Sequence, residues 1–326
     1  MKQIIEIIVP CYNEEQCVEL FYNKICAVFD RMQKFDFIIT FIDDGSKDAT
    51  LNAIKDLSVK AMKGNVQYIS FSRNFGKESA IYAGLSNCSG DYIAVMDADL
   101  QHPPALLIEM IRVIEEEGYD CCAARRKNRK GEPMIRKFFS NQFYHIINKL
   151  TVIDLVQGST DFRLMKREMA RAVASLTENE RFTKGIYAWV GYRTKWIDYE
   201  NVERAAGKSK WSFHSLFNYA GNGIIAFATT PLRGIVYLGI IVTIISILYA
   251  AYVVLNAIMY GGVGSGFTTL IVLITFFSGI ILTTLGMIGE YVARIYMEVK
   301  NRPLYIVKET NLQREDRQTD VEKLVD

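Results

Sequence analysis

The chain has 326 residues, half of them hydrophobic, with 38 basic and 36 acidic side chains and a formal net charge of +2. That near-neutral balance argues against wholesale nucleic-acid binding, which shows as a strongly basic chain. All six cysteines fall within the first 122 residues, none in a CxxC pair, and the three histidines are scattered, so the sequence offers no zinc set and reads as carrying reduced thiols.

The amino-terminal MKQIIEIIVPCYNEE meets acids too soon for a signal peptide and reads as a first core strand, Ile4–Val9. A helical pattern follows from Glu14 to about Met32. Phe37–Ile42 reads as strand before a helix starting near Asp48, a side chain suited to capping it. Val66–Phe71 with a helix near Glu78 repeats the unit. Tyr92–Met96 with a helix from about Ala105 to Glu117 repeats it again, and Asp120–Ala124 comes next. β-Branched and aromatic strands alternating with helices predict an α/β domain, its mostly parallel sheet covered on both faces. Ligands of such sheets sit outside the carboxyl ends of the strands. Tyr144, Trp189 and Trp196 read as core aromatics.

Beyond this domain the composition changes. No charged residue occurs from Gly234 to Gly289, and Ile235–Tyr260 and Phe267–Ile288 each reach the ~20 residues that span a bilayer core. GGVGSG separates them, so the expectation is a two-helix transmembrane hairpin. Lys208, Lys210 and Arg233 precede it and Arg294, Lys300 and Arg302 follow it. By the positive-inside tendency both termini and the α/β domain face the cytoplasm, in a multi-pass protein of the cell membrane. WSFHSLFNYAGNGIIAF (211–227) reads as interfacial helices, and the charged tail from about Lys308 as mobile. The expected units are a catalytic domain (1–203), a basic loop with juxtamembrane helices (204–233), the hairpin (234–290) and a tail (291–326).

Three predicted strands end in polar clusters: VPCYNEE, FIDDGSKDAT and VMDADLQHPP. In the third, Asp97 and Asp99 precede a double proline, which N-capping does not explain. Hard oxygen ligands such as the Asp99 carboxylate and the Gln101 amide suit Mg²⁺ or Mn²⁺, which bridge a carboxylate and substrate phosphates. No GxGxxG follows a strand, and Gly207–Lys208–Ser209 has Val202 where a P-loop needs its first glycine. A metal-bound nucleotide diphosphate without a glycine cradle remains.

Together IIVPCYNEE, FIDDGSKDAT, SRNFGKESAIYAGL, VMDADLQHPP and GSTDFRLM resemble the family 2 inverting glycosyltransferases. Within them the chain is similar to the polyprenyl-phosphate type, the bactoprenol glucosyltransferases and more distantly dolichyl-phosphate mannose synthase. The resemblance implies a GT-A, Rossmann-like nucleotide-diphospho-sugar transferase domain. It also implies transfer of a sugar from a UDP-hexose such as UDP-glucose to polyisoprenyl (undecaprenyl) phosphate, for cell-envelope glycan modification. Pro10, Tyr12, Glu14, Asp43, Asp97, Ala98 and Asp99 resemble the nucleotide-sugar-binding positions, and Asp99 with Gln101 the metal ligands. Arg125 matches an arginine used at the phosphates, and Asp161 a carboxylate of the bactoprenol branch. RAAGKSKW (204–211) resembles a basic loop spelled RGxSK elsewhere, making Arg204 and Lys210 the candidates for acceptor phosphate. A processive polysaccharide synthase would add a QxxRW motif and more spans, and a non-enzymatic membrane scaffold would have no use for acids at three strand ends. The sugar, a homo-oligomeric state and a flippase partner stay open.

Overall fold

A computed structural model describes residues 2–126, 148, 155–200, 230–260 and 266–312. Its strands are β1 (Gln3–Cys11), β2 (Phe35–Asp43), β3 (Asn65–Phe71), β4 (Tyr92–Val95), β5 (Cys121–Arg126), β6 (Ser159–Lys166), β7 (Thr194–Tyr199) and β8 (Val307–Thr310). Its helices are α1 (Glu15–Phe29), α2 (Thr50–Lys60), α3 (Lys77–Asn87), α4 (Leu106–Glu116), α5 (Arg167–Ala174), α6 (Thr183–Trp189), α7 (Thr230–Tyr260) and α8 (Phe267–Val299). The strands form one sheet in the order β7-β5-β6-β4-β1-β2-β3-β8.

Alternation along β1 decides what packs where. Ile5, Ile7 and Val9 join the core under α1, α2 and α4, while Ile8 joins the core under α3, α5 and α6. Both faces are thus covered, which explains why the strands read as continuous apolar runs. Helix α3 lies so close to β1 that a Cβ on Gly84 would come 2.2 Å from Ile8 Cγ2. The expected α/β architecture is present, with β4-β1-β2-β3 all parallel.

Two features of the sheet position the site. Strands β2 and β3 lie to one side of β1 and β4 to the other, so the strand order reverses between β1 and β4, where α/β sheets open a ligand crevice. Strand β6 then runs antiparallel to β4 with Val95 opposite Arg163. Continuing that register by two residues brings Asp161, at the start of β6, alongside Asp97, just past the end of β4.

The two apolar segments are helices, and α8 continues past the expected Ile288 to Val299. Among the described residues one stretch, Phe276–Val299, is long and apolar enough to cross a membrane by length and composition. Side chains such as Ile240, Leu248, Ile274 and Leu282 are exposed on the two helices. Contiguous exposed apolar surface of this kind marks a lipid or protein contact.

At its far end α8 meets the α/β domain. Glu298 accepts hydrogen bonds from the Asn179 backbone amide (2.8 Å) and side chain (3.1 Å), and Arg294 pairs with Glu180. The chain then returns to the sheet. Strand β8 pairs antiparallel with β3, Thr310 donates to the Tyr68 carbonyl at 2.6 Å, and Tyr305 stacks on Phe71 with ring centroids 4.9 Å apart.

Two expectations are corrected here. A mobile tail does not begin at Lys308, because Val307–Thr310 pairs with the sheet; the charged residues of this strand suit an edge, where charge discourages pairing with other chains. Trp189 is not a core aromatic but 59% exposed at the end of α6, whereas Trp196 is partly buried against the α3–α5–α6 core. Arg204, Lys210, the 211–227 stretch and Tyr144 lie outside the described residues, as does most of the turn between α7 and α8.

Candidate active site

The end of β2 is built to hold the loop that follows β3. Asp43 accepts the Ser70 hydroxyl at 2.8 Å and the Ser46 amide at 3.1 Å. Asp44 accepts the amides of Phe75 (2.6 Å) and Gly76 (2.9 Å), just ahead of α3. Gly45 turns between them at φ +64°, and a Cβ there would lie 2.4 Å from the Arg73 carbonyl carbon. Only glycine fits such a turn. Burial pushes the Asp44 carboxyl up to about 6, outweighing the two amide hydrogen bonds.

The loop after β1 is laced to the same turn. The Asn13 amide donates to the Ser46 hydroxyl at 2.9 Å and the Glu14 amide to Thr50 Oγ1 at 2.8 Å. Pro10 is buried near the end of β1, beside Ile42, with Tyr12 and Glu14 half-buried beyond it. Asp48 accepts the Thr50 amide at 3.0 Å just ahead of α2, although the N-cap position itself is Ala49 and not Asp48. Pro10, Tyr12, Glu14 and Asp43 therefore share one rim of the crevice.

Strand β4 supplies the opposite rim. The Met96 amide still bonds to the Ile8 carbonyl at 3.0 Å, and the chain then leaves the sheet through Asp97, Ala98 and Asp99. Leu100 adopts φ +57°, a conformation uncommon for such a side chain, and one that clusters at functional sites. The turn brings Asp97, Asp99 and His102 together, with one ligand atom from each lying within 4.8 Å of the others. His102 is buried between Phe162 and Tyr199, and its Nδ1 has no hydrogen-bond partner. Burial lowers its pKa despite the two acids beside it, which keeps the imidazole neutral and able to donate a lone pair. Carboxylates with one imidazole and an unengaged buried nitrogen fit a divalent cation. The backbone amide of Gln101 donates to Asp99 Oδ1 at 3.1 Å, fixing that carboxylate. The sequence paired Asp99 with Gln101; the structure adds Asp97 and His102 to the cluster.

Across from it stands Asp161. Lys77, the first residue of α3, places its ammonium 2.6 Å from Asp161 and 2.7 Å from Asp97. Burial alone would push the Asp161 carboxyl up, but Lys77, Lys184 and Arg163 outweigh it and hold it below the usual carboxylate range. The same two acids hold Lys77 above its ordinary value against the pull of burial. Arg163 itself lies over the Tyr187 ring, 3.4 Å from its centroid. Glu78, next along α3, accepts the Thr183 amide at 3.0 Å and so fastens α6 to this corner.

Sequence reasoning missed Lys77, although it left a signal. A cation at a helix N-terminus opposes the macrodipole by about 0.3–1 kcal/mol, so a lysine there needs another reason. Arg125 stands apart from these groups, with Nε and Nη2 bound to Asp198 at 2.6 and 3.0 Å. Its neighbour Arg126 sits opposite Tyr199 in the β5–β7 pairing, and the Tyr199 ring packs on His102.

The profile described as "Glycosyl transferase family 2" matches residues 6–173. The CsbB protein of Bacillus subtilis (strain 168) is 46% identical over 317 residues, covering 97% of this chain and 95% of that protein. A Shigella flexneri protein named "SfII prophage-derived bactoprenol glucosyl transferase" is 39% identical over 307 residues, covering 94% and 98%. Among solved structures, the Pyrobaculum calidifontis mannosyltransferase PcManGT, in complex with GDP-Man and Mn²⁺, is 16% identical with a TM-score of 0.47, covering 92% of this chain and 87% of that one.

Proposed function

The chain belongs to glycosyl transferase family 2, and from that premise we propose that it moves a hexose from a UDP-sugar to polyisoprenyl phosphate at a membrane surface. That it is a glycosyltransferase follows from the family. The acceptor reading is carried by one observation, the 39% identity over almost the full length of both chains to a protein named bactoprenol glucosyl transferase.

In the proposed reaction an oxygen of the acceptor phosphate forms a bond to the anomeric carbon as the bond to the UDP oxygen breaks, its electron pair leaving with UDP and the configuration inverting. Pro10, Tyr12, Glu14, Asp43 and Ala98 enclose the nucleotide-sugar. Asp97, Asp99 and His102, with Gln101 supporting Asp99, would hold a divalent cation, which supplies charge stabilisation to the departing diphosphate. The acceptor phosphate is already an anion near neutral pH, so Asp161 need not abstract a proton. Its task is to orient the acceptor, to hold a sugar hydroxyl or to support the basic groups around it. Arg125 can serve the diphosphate only after leaving Asp198. Arg204 and Lys210, in the basic loop, are assigned to the acceptor phosphate at the headgroup level.

The membrane reading completes the proposal. Helices α7 and α8 form the hairpin, residues 1–203 and both termini lie on the cytoplasmic side, and segment 204–233 rests at the interface. The exposed apolar side chains of both helices support it, as do the positive residues outside the charge-free stretch.

Incubating the full chain with Mn²⁺, a panel of UDP-sugars and a short-chain polyprenyl phosphate tests the reading by mass spectrometry. One sugar per lipid, formed with equimolar UDP, is expected. UDP release without lipid product overturns the acceptor assignment, and a growing polysaccharide establishes the processive alternative.

A further inference from the structure

Lys77 touches two neighbouring strand ends at once. Its ammonium bridges Asp97, in the candidate cation cluster past β4, and Asp161, beside it at the start of β6. The backbone beneath it is fixed, because Asp44 holds the two amides that precede it. The side chain as a whole remains 42% exposed, while its ammonium lies between the two carboxylates.

An ammonium offers three donors and no acceptor, and two of the three go to these carboxylates. A divalent cation held by Asp97, Asp99 and His102 would take the Asp97 charge for itself and repel the ammonium. Lys77 would then stay on Asp161 alone, with a donor freed towards the crevice. Asp161 meanwhile presents a negative charge where, in the function proposed above, an anionic acceptor has to arrive. Without a counter-charge the two repel, and an anion would approach poorly.

We propose that Lys77 is the positioning residue for the acceptor: it neutralises Asp161 and donates to the incoming phosphate monoester once the donor and its cation occupy Asp97. This role rests on the polyprenyl-phosphate reading, and it assigns to Lys77 a step that the resemblance left to Arg204 and Lys210.

The test uses the full chain with UDP-sugar, Mn²⁺ and short-chain polyprenyl phosphate, together with calorimetric titration of UDP in Mn²⁺. Lys77→Met is expected to raise the acceptor KM roughly 10- to 100-fold while UDP affinity stays within about threefold. Lys77→Arg, which keeps the charge, should recover most of the loss. Adding Asp161→Asn to Lys77→Met should lower the acceptor KM again, because the carboxylate that has lost its ion-pair partner is gone. An equal loss of UDP affinity in Lys77→Met, or strictly additive effects in the double variant, would overturn the role. So would an unchanged acceptor KM in Lys77→Met when the wild type transfers normally. No transfer by the wild type overturns the acceptor reading itself, and this role with it. Melting temperatures and the Lys77→Arg variant separate a loss of fold from a loss of function.

Discussion

The two walls of the crevice use the same residue type to opposite effect. The parallel half of the sheet ends in four carboxylates, Asp43, Asp44, Asp97 and Asp99, and much of their fixing comes from backbone amides and hydroxyls. Among the described residues the antiparallel half brings Asp161 to this corner, set among Lys77, Lys184 and Arg163. Burial raises Asp44, whereas neighbouring cations lower Asp161. A cluster short of positive charge suits a divalent ion, and a carboxylate already neutralised suits the approach of an anion. Division of labour here is set by what surrounds each acid.

The largest expected effect breaks this contrast if it fails. Asp99→Asn should reduce transfer roughly a thousandfold, about 4 kcal/mol of barrier, and abolish the Mn²⁺ dependence of UDP binding. Asp161→Asn should cost about a hundredfold in turnover through lost positioning yet leave UDP–Mn²⁺ affinity unchanged. Equal losses of nucleotide affinity in both variants would show that the walls do not divide the work.

A pH experiment sharpens it. Asp44 has its carboxyl raised from 3.8 to about 6, so its contribution to stability is whole below pH ~4 and lost as pH rises through 6, up to about 3 kcal/mol. Asp161 is shifted the other way, so its contribution is present above the ordinary carboxylate range and lost in acid. Asp44→Asn should therefore flatten the fall in melting temperature between pH 4 and 7. Asp161→Asn should leave that window alone, and identical slopes for wild type and Asp44→Asn would remove the burial argument.

The smallest effect lies at the sheet's edge. Tyr305→Ala should cost about 1 kcal/mol through its lost stack on Phe71, read as a modest drop in melting temperature with UDP affinity unchanged.

How much of this was legible follows from the range of the interactions. The parallel half was readable because each strand is an apolar run followed directly by an amphipathic helix, and Asp97 and Asp99 stand at a strand's end in plain sequence. Asp161 was found only by resemblance. Its position beside Asp97 comes from antiparallel pairing between segments more than sixty residues apart, which no local pattern encodes. His102 was passed over because histidines were weighed by their scatter, and its Nδ1 becomes distinctive only when Phe162 and Tyr199 enclose it. Strand β8 has four residues, Val-Lys-Glu-Thr, and nothing in so short a charged segment announces a partner in β3.

That last strand has a practical consequence for anyone cutting the protein apart. The polypeptide leaves the sheet after Tyr199 and comes back at Val307, so the soluble portion and the hydrophobic portion are not consecutive in sequence. A fragment stopped near Thr230 loses more than the two long helices. It exposes the β3 edge that β8 covers, strips Phe71 of Tyr305, and invites self-association through the unpaired strand. A soluble version should instead excise the two long helices and splice the segment from Tyr305 to Leu312 back on through a flexible connector. Its hydrodynamic size beside that of the plain truncation would reveal whether the bare β3 edge drives self-association.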